Sequence, residues 1–306
     1  ALSLRDFADM AAAKAQEHLT KAEQALKPSW MSLKFSPDHL TASMEYSQAA
    51  TQFRAAGMLQ ESVDAWCKTG EMKEQLHDLF GAGRAYESAG SLCDGSGPGG
   101  PPAAMQRWQK AVQCFRVAGK ADVAAKLLLK MAGVQEKSGE ADAAKALYQD
   151  ALNLYEDEEK DYELGDVYKT YIGFLIRKGM LEEALVAMDG HIAVLSRQKS
   201  LPFAHKELLS KIVLLGQLED LVRADEVLNA SKVEGWFLSR ECQVGCSLVE
   251  ALKAHDAEEL AGLQKDQIFT FLQVEVARIA KQLKVVALLQ PGAESTGGYA
   301  GPAAAA

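Results

Sequence analysis

Residues 46 to 57 read YSQAATQFRAAG, and the spacing inside this stretch decides the fold. Tyr46 is followed at helical intervals by Ala49 and Ala50, then by Phe53, a small residue and Gly57. The same order returns as Ala82-x3-Tyr86-x2-Ala89-Gly90 and as Ala111-x3-Phe115-x2-Ala118-Gly119. It appears once more, without the closing glycine, as Ala144-x3-Tyr148-x2-Ala151. A small residue four before an aromatic and another three after it put a knob between two close-approach points on one helix face. Such a helix docks against another helix, and the glycine just beyond it is expected to end it in the left-handed conformation.

The spacings of 33 residues (Ala49 to Ala82) and 29 residues (Ala82 to Ala111) fall near the period of helical-hairpin repeats of the tetratricopeptide kind. One hairpin cannot bury its own apolar face, so stacked neighbours must supply the core. The expectation is an all-α, right-handed solenoid of such hairpins over residues 1–228, with a C-terminal helical bundle over 229–290. A disordered tail is expected over 291–306, where small residues, Gly and Pro dominate. A solenoid offers a long surface and no deep pocket, which favours a binding protein over an enzyme.

Composition narrows the function classes. The net charge of −9 and pI near 5.3 exclude a general nucleic-acid binder, because phosphate neutralisation needs a basic surface. Five scattered cysteines suit a reducing compartment, hence a cytoplasmic setting, better than a disulfide framework. No apolar run is long enough to span a bilayer, and the first ten residues, with Arg5, Asp6 and Asp9, lack the pattern of a secretion signal.

Along the chain, residues 4–26 read as a first helix with Phe7, Met10, Ala15, Leu19, Ala22 and Leu26 on its apolar stripe. The next segment, KPSWMSLKFSP at 27–37, places Trp30, Met31, Leu33 and Phe35 in a proline-bracketed loop that carries only positive charge. These side chains either cap the first hairpin or form a patch for a lipid surface or partner. Insertion would contribute at most about 1.5–3 kcal/mol per large side chain. Each lysine near an anionic leaflet adds about 1 kcal/mol, so attachment would be weak and reversible.

DGSGPGGPP at 94–102 reads as a flexible insertion between helices; it lacks the Gly-Lys-Ser/Thr ending of a phosphate loop. YEDEEKD at 155–161 reads as a solvated helix end. Gly179 and Gly216 are expected at turns, and Tyr162, Tyr168, Tyr171 and Phe174 as an aromatic core stripe. His77 reads as a helix-surface residue, His191 and His205 as lone histidines, and Cys242 and Cys246 as small buried residues rather than a metal site. Longer Leu/Val-rich helices are expected around 248–252 and 269–283. No metal, cofactor or catalytic constellation is expected.

With these pieces in order, the chain resembles the soluble NSF attachment protein family, and its gamma type in particular. The resemblance is carried by EHLTKAEQALK at 17–27, KFSPD at 34–38, YSQAATQF at 46–53, GAGRAYESAG at 81–90, GKADVAAK at 119–126 and SRECQ at 239–243. It implies an adaptor that wraps the four-helix SNARE bundle, of syntaxin type, and recruits the hexameric ATPase NSF in vesicle fusion and intracellular transport. It also implies that Trp30, Met31, Leu33 and Phe35 touch an anionic membrane, making the protein peripheral on cytosolic membrane faces. Arg54, Lys120, Lys126 and Arg240 match positions that would grip the acidic SNARE surface. Asp166 and Thr170 stand where further basic residues would be expected, and the tail GGYAGPAAAA lacks the acidic, leucine-bearing ending of the alpha type. The alternative is a generic peptide-binding scaffold, but no Lys/Asn/Arg carboxylate clamp recurs along the chain.

Overall fold

The computed structural model describes residues 4–27, 36–157 and 160–285. The loop residues Trp30, Met31, Leu33 and Phe35, and the tail expected over 291–306, lie outside the described residues.

Fourteen α-helices and no strand make up the described residues. The chain divides into two compact units, Ala1–Lys178 and Gly179–Ala306. The first holds α1 (Leu4–Leu26), α2 (His39–Ala55), α3 (Leu59–Gln75), α4 (Leu79–Cys93), α5 (Gly100–Val117), α6 (Ala121–Ser138), α7 (Ala141–Asp157) and α8 (Asp161–Arg177). The second holds α9 (Leu181–Arg197), α10 (Leu201–Gln217), α11 (Leu221–Ala230), α12 (Arg240–Lys253), α13 (Ala257–Leu263) and α14 (Val274–Gln282), with short 3-10 turns at Trp236–Leu238 and Gln267–Phe271. This is an all-α helical-hairpin solenoid.

Within the first unit, alternate helices lie side by side in two layers. Arg177 on α8 donates to Glu136 on α6 at 3.0 Å, and Lys130 on α6 donates to Ser91 on α4 at 2.9 Å. In the other layer the Cys114 thiol of α5 donates to Glu74 of α3 at 3.5 Å. The small–aromatic–small rule describes the core faithfully: Ala49, Phe53, Ala82, Tyr86, Ala111, Phe115, Ala144 and Tyr148 are all buried. The repeat arithmetic needs correction. The spacing of 33 residues joins α2 to α4 and also α5 to α7, each pair in a single layer, whereas the 29-residue step from Ala82 to Ala111 joins consecutive helices in opposite layers.

The stop rule also divides. Gly57 and Gly119 have φ of +78° and +67° and end their helices as expected. Gly90 instead lies inside α4, where a Cβ would meet the Trp108 ring of α5 at 2.5 Å, so it is a notch for an indole and not a stop. Gly216 is likewise inside α10, with a Cβ position 2.9 Å from Leu252 of α12. The turn after α10 is made by Glu219 at φ +59°. His77 is not on a helix surface but takes φ +58° in the turn between α3 and α4.

Three further expectations shift. Gly100, Pro101 and Pro102 form the first turn of α5, because prolines in that turn lose no helical hydrogen bond; only 94–99 remain as a connection. On α1 the buried stripe is Ala11, Ala15, Ala22 and Ala25, while Phe7 and Met10 are exposed. Tyr168, Tyr171 and Phe174 are buried, the latter two packed against Tyr148 of α7, but Tyr162 stands 81% exposed at the start of α8. Tyr155, inside the acidic run, is fully buried. Beyond Ala230 the helices are shorter than the 17-residue norm, not longer.

The remaining titratable residues are structural. His191 Nδ1 of α9 lies 3.2 Å from Glu207 Oε1 of α10, so this buried histidine is not lone. His205 Nε2 sits 2.8 Å from the Glu234 carbonyl oxygen. Burial, with Cys246 adding to it, pushes the Cys242 thiol up to about 11.

Candidate interaction surfaces

Arg54 closes the last turn of α2, where the buried Phe53 beside it holds the backbone and leaves the guanidinium outside. It borders a depression shared with Trp66 of α3 and with Arg84, Glu87, Ser88 and Ser91 of α4. Arg84 donates to Glu87 at 3.0 Å, three residues on along the same helix. The floor is firm, since Ala82, Tyr86 and Ala89 of α4 are buried on the opposite face.

Lys126 is exposed on α6, four residues before Lys130 and eleven before Lys137, so the three lysines share one helix face. Lys130 connects that face to the depression: its Nζ is 2.9 Å from Ser91 Oγ and 4.3 Å from the centre of the Trp108 ring. Lys120 occupies the N-cap position of α6 and is exposed. Thus Arg54, chosen from sequence, borders one depression with Arg84 and, through Ser91, with Lys130, both of which sequence reading passed over, and Lys126 lies one turn along α6 from Lys130. Their signal was present in GAGRAYESAG, but the helix layer that brings α2, α4 and α6 together is not visible in a linear string. On α8, Asp166 is exposed and lies 3.5 Å from Lys169, so this stretch carries acid beside base.

Arg240 belongs to the second unit. It opens α12, whose N-cap Ser239 accepts from the Cys242 amide at 3.1 Å. Its guanidinium is held by both oxygens of Asp266, at 2.9 and 3.0 Å, so it already has a carboxylate partner in the chain.

The ends of the apolar loop are described although its centre is not. The Asp38 amide donates to the Ala25 carbonyl at 3.0 Å, and the Asp38 side chain caps α2 by accepting from the Thr41 amide. The neck of the loop is therefore closed. Immediately beyond it Leu40 and Met44, one turn apart on α2, are 59% and 56% exposed, an apolar pair missed in sequence because Leu and Met in a helix read as core.

The second unit also contains an open groove of about 610 Å³ between α9, α10 and α11, shallow rather than a deep pocket. Four of its charged residues are paired with one another: Arg223 bonds Glu182 at 2.8 Å and Lys211 bonds Asp189 at 2.5 Å, while Glu226 and Lys232 also line it. Among the described residues no group of three or more His, Cys, Asp or Glu could hold a metal, and no helix is long and apolar enough to cross a membrane.

A model of the family "Soluble NSF attachment protein, SNAP" matches residues 13–275 of this chain. The chain belongs to the soluble NSF attachment protein family. Two curated relatives carry the gamma designation of that family. The gamma-soluble NSF attachment protein of Dictyostelium discoideum is 24% identical over 260 residues, covering 82% of this chain and 77% of its own length. That of Arabidopsis thaliana is 25% identical over 258 residues, covering 82% of this chain and 85% of its own. The matched segment begins inside α1 and ends inside α14, so the family match takes in residues of both compact units and Arg54, Arg84, Lys120, Lys126, Lys130 and Arg240.

Proposed function

We propose that this chain is an adaptor that binds SNARE bundles at membranes and recruits the NSF ATPase for their disassembly in vesicle fusion and intracellular transport. The observation that carries the reading is the exposed cationic surface across α2, α4 and α6 in a family member whose net charge is −9. An acidic chain that concentrates cations on one surface is suited to an acidic partner. The attraction is long-ranged and salt-sensitive, and it contributes to on-rate and register more than to raw affinity. Arg54, Lys120 and Lys126 supply it in the first unit and Arg240 in the second. Trp30, Met31, Leu33 and Phe35, with Leu40 and Met44 beyond the closed neck, add weak attachment to an anionic, cytosolic membrane face. Such attachment raises local concentration, while the SNARE bundle, of syntaxin type, supplies specificity. ER–Golgi traffic is part of the same proposal.

The test is a pull-down that asks whether the purified chain bridges NSF to a SNARE bundle. Bridging that weakens steeply with salt, and falls further when Arg54, Lys120 and Arg240 are all changed to Glu, is expected. Binding unchanged in that triple variant would remove the charge mechanism.

A further inference from the structure

Three cations from three helices converge on the depression in the first unit. Arg54 of α2 and Arg84 of α4 line it, and Lys130 of α6 reaches its rim through Ser91. Ser88 and Ser91 add two hydroxyls, Trp66 forms a wall, and Glu87 is the one carboxylate among the lining residues. We propose that this depression is a binding site for a phosphomonoester dianion, carried by an inositol lipid headgroup or free in solution.

Charge counting selects the ligand class. Arg54, Arg84 and Lys130 less Glu87 leave two positive charges, which one carboxylate cannot cancel. A phosphomonoester carries about −1.5 to −2 at neutral pH and three acceptor oxygens. The donors suit it: two guanidiniums present planar forks that match tetrahedral oxyanions, an ammonium adds a point charge, and two hydroxyls can each donate once.

Parts of the site are already ordered. Lys130 is held over the Trp108 ring, and Trp108 is itself seated in the notch at Gly90, so the ammonium is positioned by the core. Arg84 also lies over the rings of Phe80 and Phe115, at 5.4 and 5.9 Å. Its ion pair with Glu87, between an exposed arginine and a half-buried glutamate three residues on, costs little to exchange for a more highly charged anion. The volume, about 340 Å³, accommodates a phosphorylated inositol ring.

The proposal is independent of the adaptor reading, because it is tested without SNAREs or NSF. Isothermal titration of the full chain with inositol trisphosphate should show saturable binding. Arg84→Gln with Lys130→Gln should weaken it by about tenfold or more. Lys265→Gln with Lys281→Gln removes the same net charge from the second unit and should leave binding within about twofold. Absence of saturable binding, or equal loss in the two double variants, overturns the site. Co-sedimentation then separates the sources, with vesicles containing an inositol bisphosphate lipid set against phosphatidylserine vesicles of matched surface charge. Preference for the inositol lipid that is lost in Arg84→Gln with Lys130→Gln assigns a headgroup. Equal sedimentation on both vesicles, with soluble binding intact, assigns a free phosphate.

Discussion

Arg240 and Asp266 form a two-pronged ion pair that ties the start of α12 to the turn Gln267–Phe271, whose Ile268 amide Asp266 also caps. The backbone amide of Ile268 and the Arg240 guanidinium hold the Asp266 carboxyl below its usual range. A carboxyl with a lowered folded pKa contributes stability above its unfolded pKa, near 4, and loses it as pH falls through the folded value. Asp78, lowered by Lys73 and the Gly81 amide, follows the same sign. Stability in urea should therefore be flat from pH 7 to 5 and decline below about pH 4, and Asp266→Asn should flatten part of that decline. An identical acid limb in the variant would count against this assignment.

The same pair bears on binding. If Arg240 contributes to an acidic partner's capture, Asp266→Asn releases it while retaining a cap. SNARE association by the variant should then be faster at low salt by a factor of roughly 2–5. Stopped-flow rates at two ionic strengths make the comparison, and an unchanged rate would mean that Arg240 is only a structural partner of Asp266.

Gly90 is fixed by contact. Gly90→Ala places a methyl 2.5 Å from the Trp108 ring, which is fully buried and cannot retreat into solvent. The expected cost is about 1–3 kcal/mol in urea unfolding. Gly133→Ala, at a position with nothing within 4 Å of the added Cβ, should instead be neutral or stabilising.

The turns make an opposite prediction. Lys199 takes φ +55° after α9, with its amide bonded to the Ser196 carbonyl and the Ser200 amide to the Leu195 carbonyl. This is the same pair of bonds that Gly57 and Gly119 make at their own helix ends. Lys199→Gly removes the Cβ clash of the left-handed region but loosens the unfolded chain, leaving a net gain of about 0.5–1 kcal/mol. Calorimetric Tm should rise; a fall would show that the lysine side chain contributes contacts of its own.

Liposome flotation tests the loop and its neck separately. Trp30→Ser with Phe35→Ser should reduce flotation, and adding Leu40→Ser with Met44→Ser should reduce it further. Because Leu40 and Met44 are exposed, their replacement should leave thermal stability within about 0.5 kcal/mol. Equal flotation of all forms would return these side chains to the hairpin.

The string alone determined the all-helical class, the docking faces and the small–aromatic–small core, because helical periodicity is a local property and burial of Ala49, Tyr86 or Tyr148 follows from it. It also marked Arg54 and Lys126 by resemblance. Whether a glycine is a stop or a notch depends on what lies opposite: Gly57 faces solvent and Gly90 faces Trp108, in contexts that read alike. Left-handed turns at His77, Lys199, Glu219 and His255 were invisible for a related reason, since hairpin closure imposes that conformation on residues with no propensity for it. The convergence of Arg54, Arg84 and Lys130 was decided by tertiary structure alone. Side-by-side packing of alternate helices brings together residues thirty or more positions apart, and no local pattern encodes which helices will be neighbours.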